Sequence, residues 1–476
     1  MTPDEYASLD GVALAALVRR REVTALELVE LALGRIERLN PALNAVVMLD
    51  AEGARRAAAS VDPDAPLAGV PFLAKDTNQD VAPFPTTHGS RYLRASPKRT
   101  DGELARRWRR AGLVILGKTN TPEFASDFVT EPLAYGPTRN PWRLDRTPGG
   151  SSGGAAAAVA ARMVPIAHGT DAGGSIRVPA SACHLVGLKP SRGRVPVGPG
   201  HAEIWFGLNH EHVLTRTVRD CALMLDLTAG PDAGAPYAVP SPDRPFAAAI
   251  ERDPAPLRVA MTTVSIGGVA AEPALAAAVE AAARLMETLG HRVEPWRWPA
   301  DRASAEIASA LTAVGIADEI DALAAELGRE PGPDELEPAT RAMRALGQRL
   351  SALELARALR ARNRIARELA AALHDYDLIL TATTATLPPS IGAIADHGPS
   401  FDLAAWSVRS YGYAAFTEIF NLTGQPAISL PAGIDASGLP TAIQLAAAYG
   451  REDLLLAVAA QLERAGLWTD RRPPEP

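Results

Sequence analysis

From about residue 65 onward, short apolar runs alternate with helical stretches, and this alternation leaves one economical packing: a sheet covered by helices on both faces. Strand candidates are Val70–Ala74, Leu113–Leu116, Val164–Ala167, Leu257–Met261, Val293–Trp296, Asp377–Leu380, Ala427–Leu430 and Ala442–Leu445. Helical stretches at Ala155–Ala161, Pro273–Leu289 and Glu452–Ala465 lie between them. Residues 1–60 read as N-terminal helices: Thr24-Ala-Leu-Glu27 is a capping box, Leu28, Leu31, Ile36 and Leu39 make an apolar face, and Asn40-Pro41 ends the helix. A second box, Thr100-Asp-Gly-Glu103, opens a helix through Arg110. Pro-rich stretches at 231–256 and 329–338 read as surface connections, and the Ala-, Arg- and Glu-rich block 302–374 as a helical excursion flanking the core at 65–230. One large α/β domain spanning 1–476 is the expectation.

Composition excludes several classes of function. Hydrophobic residues are 47% and charged residues 22%, which speaks against disorder and coiled coil. With 48 basic against 55 acidic residues the net charge is −7, so there is no electrostatic footprint for nucleic acid. The run Arg106-Arg107-Trp108-Arg109-Arg110 reads as a solvated helix face with one buried aromatic. No apolar run reaches the roughly 18 residues of a membrane span, and Met1-Thr2-Pro3-Asp4-Glu5 lacks the basic-then-apolar pattern of a signal peptide. A cytoplasmic protein is expected, with a homodimer allowed. Cys183 and Cys221 are too few for a disulfide framework or a structural zinc site; Cys183, in what reads as a small-residue helix start, is expected to be a buried thiol. His210-Glu211-His212 reads as a loop without a third metal ligand nearby.

Only four of the 48 basic residues are lysine: Lys75, Lys98, Lys118 and Lys189. Where a generic positive charge suffices this chain uses arginine, so each lysine raises the question of whether an amine is required. Arginine stays protonated, whereas a desolvated lysine can lose its proton and act as a base. Lys98, in Ser96-Pro97-Lys98-Arg99, reads as exposed; Lys75 ends a short apolar run and is therefore partly desolvated.

Two glycine–serine clusters, Thr147-Pro-Gly-Gly-Ser-Ser-Gly-Gly154 and Gly169-Thr-Asp-Ala-Gly-Gly-Ser-Ile-Arg177, place Ser151 and Ser175 24 residues apart. Flanking glycines let backbone approach a substrate closely and leave N–H groups free to converge on a developing oxyanion. Two structural turns are the blandest reading, weakened by the clusters' bracketing of a helix and a strand. Phosphate binding lacks the P-loop lysine and a G-x-G-x-x-G. Gly149-Gly-Ser-Ser-Gly153 matches G-x-S-x-G, but a proline-bounded loop precedes it where a nucleophile elbow needs a strand. The reading that uses everything is a serine nucleophile activated by Lys75, with a second serine hydroxyl as relay, because a hydroxyl both donates and accepts.

Gly69-Val-Pro-Phe-Leu-Ala-Lys-Asp76, Pro148–Gly154 and Gly169–Ala180, together with Gly117-Lys-Thr-Asn120, Gly136–Pro141 and Gly187-Leu-Lys-Pro190, resemble the signature blocks of the amidase signature family. The resemblance covers nearly the whole chain. It implies a single large domain with a mixed central β-sheet covered by helices on both faces, and hydrolysis of an amide C–N bond without metal or organic cofactor. By resemblance Ser175 would be the nucleophile, Ser151 the bridging serine after a cis peptide, and Lys75 the neutral general base. Backbone N–H groups of Ala172, Gly173, Gly174 and Ser175 would hold the oxyanion. Asp171 and Arg177 would brace that loop, Ser152 would join the network, and Lys118 and Lys189 would be structural.

Within the family, Thr119–Phe124, Thr130-Glu-Pro132, Tyr135–Trp142, Phe420–Pro431 and Ala448–Asp453 are most similar to the 6-aminohexanoate-cyclic-dimer hydrolase group. Small linear or cyclic amides are then the expected substrates, with Trp205 and Phe206 as pocket lining. The alternative is a glutamine-hydrolysing subunit of an aminoacyl-tRNA amidotransferase, which more usually carries Ser-Thr-Glu-Asn-Ser near Val129-Thr-Glu-Pro-Leu133. An inactive scaffold of the same fold is disfavoured by retention of Lys75, Ser151 and Ser175.

Overall fold

The computed structural model describes residues 1–93, 100–299 and 304–475; Lys98, and Arg302 at the start of the helical block, lie outside the described residues. The strands are β1 (Val46–Leu49), β2 (Pro71–Lys75), β3 (Val114–Thr119), β4 (Ile166–Asp171), β5 (Val186–Lys189), β6 (His210–Thr215), β7 (Arg258–Met261), β8 (Arg292–Pro295), β9 (Leu378–Ala382), β10 (Ala427–Ile434) and β11 (Pro440–Ala447). They form one sheet in the order β1-β3-β2-β4-β6-β5-β10-β11-β9-β7-β8. β2 runs parallel to β3 and β4, and β7 parallel to β8 and β9. Antiparallel pairings through β6, β5, β10 and β11 join these two halves, so the sheet is mixed. Every residue of β2, β3, β4, β5, β6, β9 and β11 is buried, the signature of strands covered on both faces. The chain is an α/β domain built on one large mixed sheet.

Several sequence expectations are corrected. The helix after Thr24 does not stop at Asn40-Pro41 but runs to Leu43, where Asn44 takes a left-handed conformation with φ 51°; a proline in the last turn forfeits one N–H bond without ending the helix. Thr100 caps nothing: the helix is Glu103–Arg110 with Gly102 at its N-cap, and Gly102 N–H is spent on the Asp80 carbonyl. β1 falls inside residues 1–60, read as N-terminal helices, and β5 and β6 stand outside the expected strands. His210-Glu211-His212 opens the fully buried β6 rather than a loop, because its polar side chains find partners inside the fold. Cys183 ends the helix Arg177–Cys183 instead of starting one; both cysteines are buried and free. Among the described residues three helices, Ser304–Leu327, Pro338–Arg349 and Ala352–Ala372, run between β8 and β9. Among the described residues no helix is long and apolar enough to cross a membrane.

Two features position the site. Because β2 and β4 are parallel neighbours, Lys75 at the end of one and Thr170-Asp171 at the end of the other emerge at the same edge of the sheet. The helix Gly153–Ala160 is buried on every side, which its glycines and alanines allow, and it delivers the Ser151-Ser152 turn to that edge.

Candidate active site

Lys75 Nζ is fully buried and lies 2.6 Å from Ser151 Oγ and 2.7 Å from Thr170 Oγ1. Burial lowers its pKa to about 7, against the opposing pull of Glu211 and Asp171, whose charges favour the ammonium. A substantial share of the molecules therefore carry Lys75 as a neutral amine near neutral pH. Such an amine accepts the Ser151 proton with its lone pair while donating to Thr170 Oγ1. Behind β2, His168 Nδ1 accepts the Lys75 backbone N–H at 3.3 Å, so Nε2 carries the ring proton and donates it to Glu211 Oε2 at 2.6 Å. Asn78 and Asn209 also donate to Glu211, at 2.9 and 2.7 Å. This chain of bonds fixes both the backbone of Lys75 and the carboxylate nearest in effect to its amine.

The two serine segments are joined through their backbones: Ser152 N–H donates to the Ser175 carbonyl at 3.2 Å. Ser152 Oγ accepts from Thr170 N–H and donates to its carbonyl, both at 3.2 Å. The Gly150–Ser151 peptide bond is cis. Gly150 passes so close to the next segment that a Cβ there would stand 2.5 Å from Val129 backbone atoms. Ser175 is 5% exposed and lines a narrow pocket, whereas Ser151 and Lys75 lie fully buried. The structure does not bring the two serine hydroxyls into a hydrogen bond; catalytic bonds of this kind commonly tighten only around substrate.

Residues 172–175 leave β4 in an open turn. Among the described residues nothing accepts the backbone N–H groups of Ala172, Gly173, Gly174 and Ser175. Gly174 has φ +142°, and a Cβ there would sit 2.3 Å from Thr417 Oγ1, so only glycine fits. Thr417 Oγ1 donates to the Gly173 carbonyl at 2.6 Å, tying that turn to the segment that precedes the helix Glu418–Thr423. Asp171 and Arg177 meet side on, Nε and Nη2 donating to the carboxylate at 2.9 and 2.8 Å, both side chains fully buried. Burial alone would raise the Asp171 carboxyl, but the Arg177 guanidinium and the Asn421 amide outweigh it and hold the carboxyl well below its usual range. Asp171 Oδ2 also accepts the Ile176 and Arg177 N–H groups, closing the turn.

Trp205 lines the Ser175 pocket with Asp127, Phe128, Tyr411 and Glu418, joined by Ala308 and Thr312 from the helix Ser304–Leu327. Phe206 does not: it faces a neighbouring cleft with His88, and its carbonyl takes Arg362. Lys118 donates to the carbonyls of Lys75 and Gln79, and Lys189 to that of Pro190. Among the described residues no cluster of His, Cys, Asp or Glu is arranged for a metal ion. Sequence reasoning missed Thr170, though it stands between Gly169 and Asp171 in a quoted block. It also missed Thr417, Asn421 and Gln444, which reach Asp171 or Arg177 from more than 200 residues away, where no spacing rule operates.

A lysine with a lowered pKa lies against one serine, and open N–H donors surround a second serine that faces a pocket, so the α/β sheet edge gathers the kinds of group that acyl transfer needs. The family model described as Amidase matches residues 27–456, so this chain belongs to the amidase family and is a hydrolase of amide C–N bonds. The 6-aminohexanoate-cyclic-dimer hydrolase of Paenarthrobacter ureafaciens is 39% identical over 98% of this chain and 96% of its own. A solved structure of 6-aminohexanoate cyclic dimer hydrolase complexed with substrate superposes with TM-score 0.93 at 38% identity, covering 98% of this chain and 99% of that one. A glutamyl-tRNA(Gln) amidotransferase subunit from Thermotoga maritima gives TM-score 0.76 at 29% identity, over 100% of this chain and 98% of that one.

Proposed function

We propose that the chain is a stand-alone cytoplasmic amidase for small linear or cyclic amides, working through Ser175, Ser151 and Lys75. The observation that carries this is the buried 2.6 Å contact of Lys75 Nζ, its pKa lowered to about 7, with the hydroxyl of Ser151. Neutral Lys75 takes the Ser151 proton as Ser151 takes that of Ser175. Ser175 Oγ then attacks the amide carbon, and the N–H groups of 172–175 receive the oxyanion. When the tetrahedral species collapses the C–N bond breaks, and the proton returns through Ser151 to the departing amine. Water repeats the cycle on the acyl-enzyme, releasing carboxylate. One oxyanion donor of this kind is worth about 10²–10³ in rate.

The stand-alone reading is favoured over the amidotransferase role by the closer overlay on the cyclic-dimer hydrolase, 0.93 against 0.76, and by Val129-Thr-Glu-Pro-Leu133. The test supplies the purified chain with glutamine, simple primary amides and N-substituted amides, and quantifies ammonia and amine. Turnover of the simple amides, abolished in Ser175→Ala, is expected. Ammonia from glutamine alone, or only with added partner subunits, would overturn the stand-alone reading.

A further inference from the structure

Glu418 is a carboxyl that no structural duty explains. Its side chain opens the short helix Glu418–Thr423, is 9% exposed, and has no hydrogen-bond or ion-pair partner among the described residues. It lines the Ser175 pocket, and with Tyr411 it also lines a larger adjoining cavity whose walls include Ile266, Val269, Leu346, Val408 and Ile419. Glu418 therefore stands between the reaction pocket and a largely apolar cavity, bordering both. Its place is fixed relative to the reacting atoms, because the preceding residue, Thr417, holds the Gly173 carbonyl.

Among the described residues neither cavity is lined by Lys, Arg or His; the ionisable acids are Asp127, Glu306 and Glu418. Asp127 is satisfied internally, accepting from Ser410 Oγ at 2.7 Å, Trp406 Nε1 at 3.0 Å and Phe128 N–H at 2.7 Å. Glu418 receives nothing comparable, and burial pushes its carboxyl up to about 8. A buried carboxyl without donors is costly unless something arrives to pair with it; among the described residues no side chain does so, and a ligand in this pocket would.

We propose that Glu418 is a specificity determinant that pairs with a cationic amine on the substrate, so that the preferred substrates are amides whose acyl or amine part carries an ammonium group at the end of an aliphatic chain. This rests on the assignment of Ser175 as the reacting centre. The apolar cavity accommodates the methylenes, and the arriving ammonium draws the raised Glu418 carboxyl into its charged form, so that pairing releases a proton at neutral pH; an amide bearing a carboxylate finds no such partner. A charge-assisted hydrogen bond of this type is worth about tenfold or more in affinity.

The test compares straight-chain primary amides that carry an amine at the far end of the methylene chain with their methyl-terminated counterparts of equal length, in wild type and in the near-isosteric Glu418→Gln. Wild type is expected to favour the ammonium-bearing member of at least one pair by about tenfold or more in kcat/KM, chiefly through KM. Glu418→Gln is expected to bring the ratio close to one. Calorimetric binding of n-hexylammonium chloride reads the same contact without turnover and is expected to weaken about tenfold in the variant. Hydrolysis with the same ratio in both proteins, or equal binding of hexylammonium, would overturn the role of Glu418. Selective hexylammonium binding by a protein that hydrolyses no amide would support Glu418 and overturn the catalytic assignment instead.

Discussion

Replacing Lys75 by Met should destroy activity and, at neutral pH, make the protein more stable. In the native state the amine has a pKa of about 7; in the unfolded chain it returns to about 10.4. Between those values the unfolded state holds more protons than the native one, so wild-type stability rises with pH across that window. The penalty for housing the amine is complete below about pH 7 and gone above about 10.4; at about 1.36 kcal/mol per pH unit it amounts to about 4 kcal/mol at pH 7. Methionine fills a similar volume and carries no such penalty, but it forfeits the bonds to Ser151 and Thr170, about 1 kcal/mol each. The variant should therefore gain about 2 kcal/mol at pH 7, match wild type near about pH 9, and fall behind by about pH 10.5. Urea unfolding of both proteins across that range gives the difference directly, with all other titrations cancelling. A variant less stable at every pH, by a constant amount, would refute the idea that a desolvated amine is held ready as the base.

Two further perturbations address the surroundings of the site. Glu211 raises the Lys75 pKa, so Glu211→Gln should move the acid limb of the kcat/KM profile from about 7 to lower pH; an unmoved limb, or one moved upward, would show that Glu211 does not act on Lys75. Gly174→Ala must push a Cβ against Thr417 Oγ1, 2.3 Å away, at a φ of +142°. Displacing the turn should lower kcat by about 10²–10³, the worth of one oxyanion donor, with circular dichroism unchanged; near-normal kcat would remove that turn from the reaction.

The fold class was legible because buried strands leave apolar runs and helices between them leave caps and periodicity. β6 was not, because its three leading residues are polar and only the finished fold supplies their partners: Glu211 to His168, His210 to the Leu208 carbonyl. Lys75, Ser151 and Ser175 could be singled out because arginine dominates this chain and glycines flank each serine. The bracing around them was hidden for a different reason. Asn421 and Gln444 touch the Asp171–Arg177 pair across the sheet, and Glu418 reaches the pocket from the same distant segment. Such contacts depend on strand order, which periodicity does not encode. Trp205 and Phe206 both border the cleft with His88, and Trp205 also reaches the Ser175 pocket, a difference that adjacency in sequence does not encode.

The most direct test of Ser175 as nucleophile is the location of the acyl group. Turnover of a slowly deacylating substrate is quenched with acid, and the protein is digested with trypsin and mapped by mass spectrometry. Cleavage after Arg162 and Arg177 yields Met163–Arg177, in which Ser175 is the sole serine, while Ser151 and Ser152 fall on the preceding peptide Thr147–Arg162. The acyl mass should appear on Met163–Arg177, at Ser175 on fragmentation, and be absent from Ser175→Ala. An acyl group on Thr147–Arg162, or on Met163–Arg177 of the variant, would contradict the assignment.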